Sequence, residues 1–212
     1  MRENLELSYR VLGSIGTNVY FAVNKATRET VIIDPADDAD YLLEQAKLRD
    51  YHICAILLTH GHFDHIMAAD AIRKAAGVKI YAYKDEKKVL TDKYRNRSAS
   101  WAVATALDAD EWLEDGEVLE LAGFHIKVIH TPGHTCGSCC YYFYEEGVLF
   151  SGDTLFRESF GRTDLPTGSE DEIISSVQML LTSLPEETDV FPGHMDRTTI
   201  GHERQFNPLS MP

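Results

Sequence analysis

The segment THGHFDH, residues 59–65, constrains the fold of this 212-residue chain more than any other feature. It lies at the end of the almost wholly apolar run ICAILLT, which predicts a strand covered on both faces, and directly before a predicted helix. Residues two apart in an extended chain project to the same side, so His60 and His62 can reach one ion. The chain must turn to begin the helix, so Asp64 and His65 can face the same cavity from another direction. This pattern predicts a metal site at a strand end.

The rest of the chain supplies three further candidate ligands, each after an apolar run and beside glycine or proline. They are His134 in HTPGHT, Asp153 in LFSGDT and His194 in VFPGH. Small residues at such positions let the backbone bend and bring a side chain towards an ion. The alternative is a polar loop with scattered histidines. The recurrence of candidates at strand ends argues against it.

The number and chemistry of these ligands indicate two metal ions. One tetrahedral ion cannot use five histidines and two aspartates, whereas two adjacent ions that share a carboxylate can. Imidazole with carboxylate suits zinc, iron or manganese, and the absence of thiolate argues against a closed structural zinc site. We therefore expect two divalent ions, with zinc as the first choice. The predicted ligands are His60, His62, Asp64, His65, His134, Asp153 and His194.

Strand-like and helix-like segments alternate in both halves of the chain, which predicts an α/β fold. Alternating runs predict strands at LELSYRVL, NVYFAVNKA and ETVIIDP, and hairpins that turn at Ala122–Gly123 and Glu145–Gly147. Helices are predicted over Ala39–Arg49, over Ile66–Ala76 and over Glu170–Leu184 behind the N-cap Ser169. No proline- or serine-rich linker interrupts the pattern. We expect one domain over residues 1–212, made of two sheets with helices outside them.

Composition excludes several classes of partner. With 20 Lys+Arg against 34 Asp+Glu, the formal net charge is −14, which disfavours a surface that tracks nucleic-acid phosphates. No apolar stretch approaches the roughly 20 residues that span a bilayer, and the first residues lack the apolar region of a signal peptide. The expected protein is cytoplasmic and binds neither nucleic acid nor membrane.

The cysteines and the remaining histidines are weaker candidates. Cys136 and Cys139 form a C-x-x-C spacing that suggests zinc or redox chemistry, but a second pair is missing, so buried or incidental thiols are favoured. His130 lies near the TPGH turn, and we expect it to support or pack against the site. Surface or structural roles are expected for the other three, which are His52, His125 and His202.

The order THGHFDH, TPGHT, SGDTLF and FPGH resembles the metallo-β-lactamase fold superfamily, and within it the short members of the glyoxalase II (hydroxyacylglutathione hydrolase) group. The resemblance covers nearly the whole chain. It implies a four-layer αβ/βα sandwich of two mixed sheets. It also implies a first metal site of His60, His62 and His134, and a second of Asp64, His65 and His194. Asp153 would bridge the two sites, and both aspartates would serve catalysis.

This resemblance implies hydrolysis of a thioester or a related small ester by a hydroxide held between two metal ions. Aspartate at position 153 argues against β-lactam hydrolysis, because lactamases of the superfamily usually carry cysteine or serine there. Only 18 residues follow His194, so we expect no C-terminal helical domain for glutathione binding. Arg162 in FGRTDLPTGS is a candidate contact for an anionic substrate, and an ion pair with Asp164 is its structural alternative. Glu203 and Arg204 are expected to form structural ion pairs.

Two other functions are compatible with parts of the pattern. Persulfide dioxygenases share this fold, the H-x-H-x-D-H motif and the GRTD stretch, and hold one iron through positions equivalent to His60, His134 and Asp153. Metal content and oxygen uptake separate that oxidoreductase from a hydrolase. A non-catalytic metal-binding module is disfavoured, because no ligand of the full set is replaced by an inert side chain.

Overall fold

The computed structural model describes residues 4–101 and 103–210, which form two six-stranded sheets and a small two-stranded ribbon. In the first sheet the spatial order follows the chain, and its first three strands are antiparallel while the rest are parallel. Its strands are β1 (Leu5–Leu12), β2 (Thr17–Asn24), β3 (Glu29–Ile33), β4 (His52–Leu58), β5 (Lys79–Tyr83) and β6 (Glu111–Leu113).

The second half of the chain builds the other sheet. Its strands in chain order are β7 (Val118–Leu121), β8 (Phe124–His130), β9 (Cys139–Phe143), β10 (Val148–Gly152), β13 (Asp189–Pro192) and β14 (Thr198–Thr199). The first four are antiparallel neighbours, β13 runs parallel to β10, and β14 pairs with β13 at the edge. Between β10 and β13 in the chain, the ribbon pairs β11 (Leu155–Phe156) with β12 (Ser159–Phe160). Both sheets are therefore mixed.

Helices cover the outer faces of the sheets. They are α1 (Ala39–Leu48), α2 (Phe63–Ile66), α3 (Ala69–Ala76), α4 (Lys87–Leu90), α5 (Glu170–Ser183) and α6 (Ile200–Phe206). One apolar cluster lies between the sheets, a second joins the first sheet to α1 and α3, and a third joins the second sheet to α5. This is the four-layer arrangement that the resemblance predicted. No helix in the described part of the chain combines the length and apolarity needed to cross a membrane.

Strand β4 is buried on both faces, as its apolar sequence predicted. Ala55 and Leu57 pack between the two sheets, while Ile56 and Leu58 pack under the helices. This alternation has the two-residue period of a pleated strand. It leaves the residues after Leu58 on a rigid support at the end of the sheet.

The structure divides one predicted helix and adds two elements near the end of the chain that were not predicted. The helix expected over Ile66–Ala76 is divided into α2 and α3, because the Ala68 amide donates to the Pro35 carbonyl instead of continuing a helix. Helix α2 begins at Phe63, so Asp64 and His65 are helical. The chain after β13, to which the sequence analysis assigned no element, forms β14 and α6, where the Thr199 hydroxyl caps α6 by accepting from the His202 amide.

Candidate metal centre

All seven predicted ligands lie at one end of the sandwich, in segments that follow buried strands. His60 and His62 follow β4, and Asp64 and His65 occupy the first turn of α2. The other three come from the second sheet: His134 from the loop between β8 and β9, Asp153 after β10, and His194 after β13. Because β10 and β13 are parallel, their carboxyl ends meet at one edge.

Three histidines form a first group of potential ligands. His60, His62 and His134 are each no more than 3% exposed, and each offers a nitrogen within 4.8 Å of the others. His62 Nδ1 and His134 Nε2 are 2.9 Å apart. Ring nitrogens from segments that follow strands of both sheets therefore converge on one small volume.

The second group consists of Asp64, His65 and His194, again with ligand atoms within 4.8 Å of one another. Asp153 lies between the two groups. Its Oδ2 is 3.5 Å from His134 Nε2 of the first group and 3.5 Å from His194 Nε2 of the second, and its Oδ1 is 3.5 Å from His65 Nε2. This carboxylate is thus in the position that a bridging ligand needs.

Buried atoms without hydrogen-bond partners support a metal centre here. Among the described residues, His60 Nε2, His62 Nε2 and Asp153 Oδ1 are buried and have none. A buried polar atom left unpaired costs about 1–3 kcal/mol, and a bound cation satisfies such atoms. The donor set of imidazole nitrogen and carboxylate oxygen fits zinc, iron or manganese. The residues therefore fit two divalent ions.

The carboxylates of this cluster favour a positive charge among them, and two of the histidines are neutral. Burial lowers the pKa of His60 and His62 well below the usual value, and neighbouring histidines act in the same direction, so both rings are neutral ligands at pH 7. Burial also opposes the charge on His65, but Asp64, Asp153 and Asp34 raise its pKa to about 10. Without a metal, the carboxylates thus hold a proton on His65. A metal ion would supply the positive charge instead.

Asp34, which the sequence interpretation treated only as the end of a strand, orients part of the centre. Its Oδ2 accepts from His65 Nδ1 at 2.9 Å and from the Thr59 hydroxyl at 2.6 Å, and its Oδ1 accepts from the Thr59 amide at 2.8 Å. This hydrogen bond keeps the proton of the neutral imidazole on Nδ1, so Nε2 is the nitrogen of His65 that can bind a metal. Because 31 residues separate Asp34 from His65 in the chain, no local sequence pattern indicated this contact.

Arg162 contributes through its main chain. His134 Nδ1 donates to the Arg162 carbonyl at 2.7 Å, which directs His134 Nε2 into the cluster. The Arg162 guanidinium pairs with both oxygens of the exposed Asp164, at 2.6 Å each. The ion pair that the sequence offered as the structural alternative is therefore present. A substrate contact through Arg162 stays a prediction.

Glu86 is a second residue that sequence reasoning missed. It is 1% exposed and accepts three hydrogen bonds: from the Gly61 amide at 2.7 Å, from the Thr135 hydroxyl at 2.8 Å and from the Gly137 amide at 3.0 Å. Gly61 lies between His60 and His62, while Thr135 adjoins His134. One buried carboxylate thus joins the two loops that carry the first ligand group.

Gly193 permits the close approach of three segments at the centre. A Cβ added here would overlap Asp153 Oδ1 and lie 2.6 Å from His65 Cε1. We expect Gly193→Ala to weaken metal binding by roughly tenfold or more, because the methyl group displaces the shared carboxylate. Competition with a chromogenic chelator measures the affinity. Gly77→Ala, at the exposed C-cap of α3 with no atom within 4 Å of the added Cβ, is the control and should leave it unchanged.

The remaining histidines have structural or surface roles, as predicted. His130 stacks on Tyr83 with ring centroids 4.1 Å apart, and its Nε2 bonds the Cys136 carbonyl at 3.0 Å. The other three each lie beside a surface carboxylate; the pairs are His52–Asp50, His125–Glu145 and His202–Glu158.

The cysteine motif and the two residues Glu203 and Arg204 also have structural roles. Burial raises the pKa of Cys136 and Cys139, so neither thiol is activated as a thiolate. Neither forms a disulfide bond. Arg204 forms the expected ion pair, with Glu186. Buried Glu203 instead accepts hydrogen bonds from Thr198, Asn207 and the Glu158 amide, and its basic neighbour is His202 at 4.0 Å.

A cleft of about 610 Å³ leads to the metal-binding residues. It combines the ligands and two arginines, Arg97 and Arg162, with an apolar lining. Phe63 and Trp101 stack on one another there, with ring centroids 5.2 Å apart. The cleft is the size of a small-molecule site.

Comparisons with known proteins agree with this geometry. The family model described as "Metallo-beta-lactamase superfamily" matches residues 12–194. The hydroxyacylglutathione hydrolase GloC of Haemophilus influenzae is 35% identical over 186 residues, which cover 86% of this chain and 87% of GloC. The crystal structure of the BLEG-1 B3 metallo-β-lactamase has a TM-score of 0.91 at 40% identity, and the match covers 98% of this chain and 100% of the BLEG-1 chain. TTHA1623, solved in a di-iron-bound form, has a TM-score of 0.84 at 35% identity, with 95% and 98% coverage.

Proposed function

Because this chain belongs to the metallo-β-lactamase superfamily, we propose that it is a dinuclear metal-dependent hydrolase of thioesters or related small esters. The observation that carries the proposal is the carboxylate of Asp153 between two ligand groups. In this proposal one ion is bound by His60, His62 and His134, and the other by Asp64, His65 and His194. Zinc is the first choice of metal, with iron or manganese as alternatives.

The protein's own groups prepare the reaction in this proposal. Bound divalent ions would supply Lewis acidity for the substrate carbonyl and a water of lowered pKa. Asp34 and the Arg162 carbonyl fix the rings of His65 and His134, so the ligand nitrogens are oriented before substrate arrives. Thr17 donates to Asp64 Oδ2 at 3.0 Å and orients that carboxylate in the same way.

The thioester preference rests on leaving-group chemistry and on similarity. A thiolate leaves with little help from a general acid, so a site made of metal ligands suffices. The similarity to GloC supports a hydroxyacylglutathione or a comparable anionic thioester as substrate. We include a cytoplasmic location and a single domain over residues 1–212 in the proposal, on the grounds of sequence.

We expect the metal-loaded protein to hydrolyse thioesters without consuming oxygen. The test is a panel that includes S-D-lactoylglutathione, assayed for thiol release with an oxygen electrode in the same vessel. A β-lactam belongs in the panel because of the similarity to BLEG-1, and we expect much slower turnover of it. Protein stripped by a chelator is the control, and returning zinc should restore activity.

One result would transfer the assignment to the alternative. The di-iron form of TTHA1623 makes iron a relevant metal for a site of this type. An iron-loaded protein that consumes oxygen with glutathione persulfide, yet leaves every thioester intact, would be a persulfide dioxygenase. Metal analysis would then give one iron per chain.

A further inference from the structure

The loop after α4 places Arg97 at the candidate cleft on a firmly held backbone. Its two neighbours, Asn96 and Ser98, are no more than 1% exposed. The Asn96 amide group donates to the Thr105 carbonyl at 2.8 Å, and its side-chain oxygen accepts from the Ser98 amide at 2.9 Å. The Asn96 carbonyl accepts from the Phe63 amide at 2.8 Å, which ties the loop to the helix that carries Asp64 and His65.

Arg97 itself has a φ of +70°, in the left-handed region that residues with a Cβ seldom occupy. Such a conformation is strained and persists only where the surrounding structure enforces it. Buried neighbours on both sides enforce it here. The backbone therefore holds the Arg97 side chain at the cleft instead of leaving it free on the surface.

The two arginines that line the cleft differ in their partners. Arg162 is exposed, and both oxygens of Asp164 already bind its guanidinium. Arg97 is half-buried, and within residues 4–101 and 103–210 no carboxylate forms an ion pair or hydrogen bond with it, whereas its neighbour Arg95 pairs with Asp92. In a chain of net charge −14, a half-buried cation without a counter-ion is available to an anionic ligand.

An aromatic surface lies beside this cation. Phe63 and Trp101 stack with an interplanar angle of 19°, both line the cleft with Arg97, and Trp101 follows Arg97 by one short turn. We propose that Arg97, Phe63 and Trp101 form a subsite for a substrate that joins a carboxylate to an apolar or aromatic group. The carboxylate pairs with the guanidinium, and the apolar part packs against the two rings.

This subsite names a substrate class within the proposed function and rests on it for the reaction, but ligand binding tests it separately. The probe is 3-phenylpropionate, and its uncharged match is 3-phenylpropionamide. Quenching of Trp101 reports binding in a Trp112→Phe background, because the chain has two tryptophans. The comparison uses metal-loaded protein with Arg97, Arg97→Ala, or Arg95→Ala as the matched control, with metal content measured in each.

We expect Arg97→Ala to raise the Kd of 3-phenylpropionate at least tenfold, equivalent to about 1.4 kcal/mol, and to change that of the amide less than twofold. Arg95→Ala should change neither. Equal losses for both probes, no binding to the starting protein, or a selective loss with Arg162→Ala instead of Arg97→Ala would overturn the proposal. If the selective loss occurs but no thioester is hydrolysed, the subsite stands and the proposed function fails.

Kinetics then locates the anion in the substrate. Two pairs of thioesters are compared, and each pair consists of a carboxylate and its methyl ester. In the first pair, S-phenyl 4-carboxybutanethioate carries the carboxylate in the acyl part. In the second pair, S-acetyl-3-mercaptopropionate carries it in the thiol part. Arg97→Ala should raise KM selectively for the carboxylate of one pair, and that pair identifies the side. An equal rise in KM for all four compounds would show that Arg97 shapes the loop, and would overturn the subsite.

Discussion

Replacing Asp153 with alanine is expected to lower the metal content from two ions per chain to less than one, and to reduce hydrolysis by about a thousandfold. The carboxylate lies 3.5 Å from ring nitrogens of both ligand groups, so its removal weakens both sites at once. Losing about 4 kcal/mol of stabilisation from the metals produces a rate change of that size. Elemental analysis after equilibration with zinc, and initial rates on a thioester, are the measurements.

The control for this experiment is Asp196→Ala. Asp196 is exposed and lies two residues after the ligand His194, but it belongs to neither ligand group. It should retain both ions and near-normal rates. If Asp153→Ala loses one ion and retains the other at full affinity, Asp153 is a ligand of one site and not a bridge.

Replacing Glu86 with alanine is expected to lower the free energy of unfolding by about 3 kcal/mol or more. The change leaves three buried donors without their acceptor, on Gly61, Thr135 and Gly137, and each costs about 1–3 kcal/mol. It also frees the loops of the first ligand group, so metal affinity there should fall 10–100-fold. Denaturant unfolding and chelator competition measure the two effects.

A neighbouring residue provides the matched control for Glu86. Asp85 is exposed and adjacent in sequence, so Asp85→Ala should leave stability and metal affinity unchanged. Glu86→Gln keeps the shape but presents its carbonyl to one loop only, and we expect an intermediate loss. An unaltered metal affinity in both Glu86 variants would show that the carboxylate stabilises the fold without positioning the ligands.

The pH dependence of stability gives an independent check on Glu86. Burial raises its pKa to about 7, against the opposing effect of its hydrogen bonds. Between the unfolded value near 4.5 and pH 7, the folded state binds more protons than the unfolded state, so this group makes stability fall as pH rises. Metal-free protein should therefore lose stability relative to its Glu86→Gln variant across that window. A constant difference would contradict the shift.

The sequence by itself determined the features that depend on local pattern. An almost wholly apolar run predicted β4, alternating apolar and polar residues predicted the hairpins, and glycine or proline after such runs predicted where ligands would emerge. Seven candidate ligands at strand ends were found in this way, and the order of their motifs implied the family and its four layers. These signals are local, because a strand and the turn after it are encoded within about ten residues.

Tertiary structure alone decided which side chains support those ligands and what the arginines do. Asp34 reaches His65 across 31 residues, and Glu86 reaches Gly137 across 51, so neither pairing has a periodic or motif signal. The sequence analysis did not select Arg97, which lies in a charged segment, yet its buried neighbours hold it at the cleft. Arg162, which the sequence analysis did select, is paired with Asp164. The physical reason is that hydrogen bonds and ion pairs depend on distances of a few ångströms. Sheet packing sets those distances between segments that are far apart in the chain.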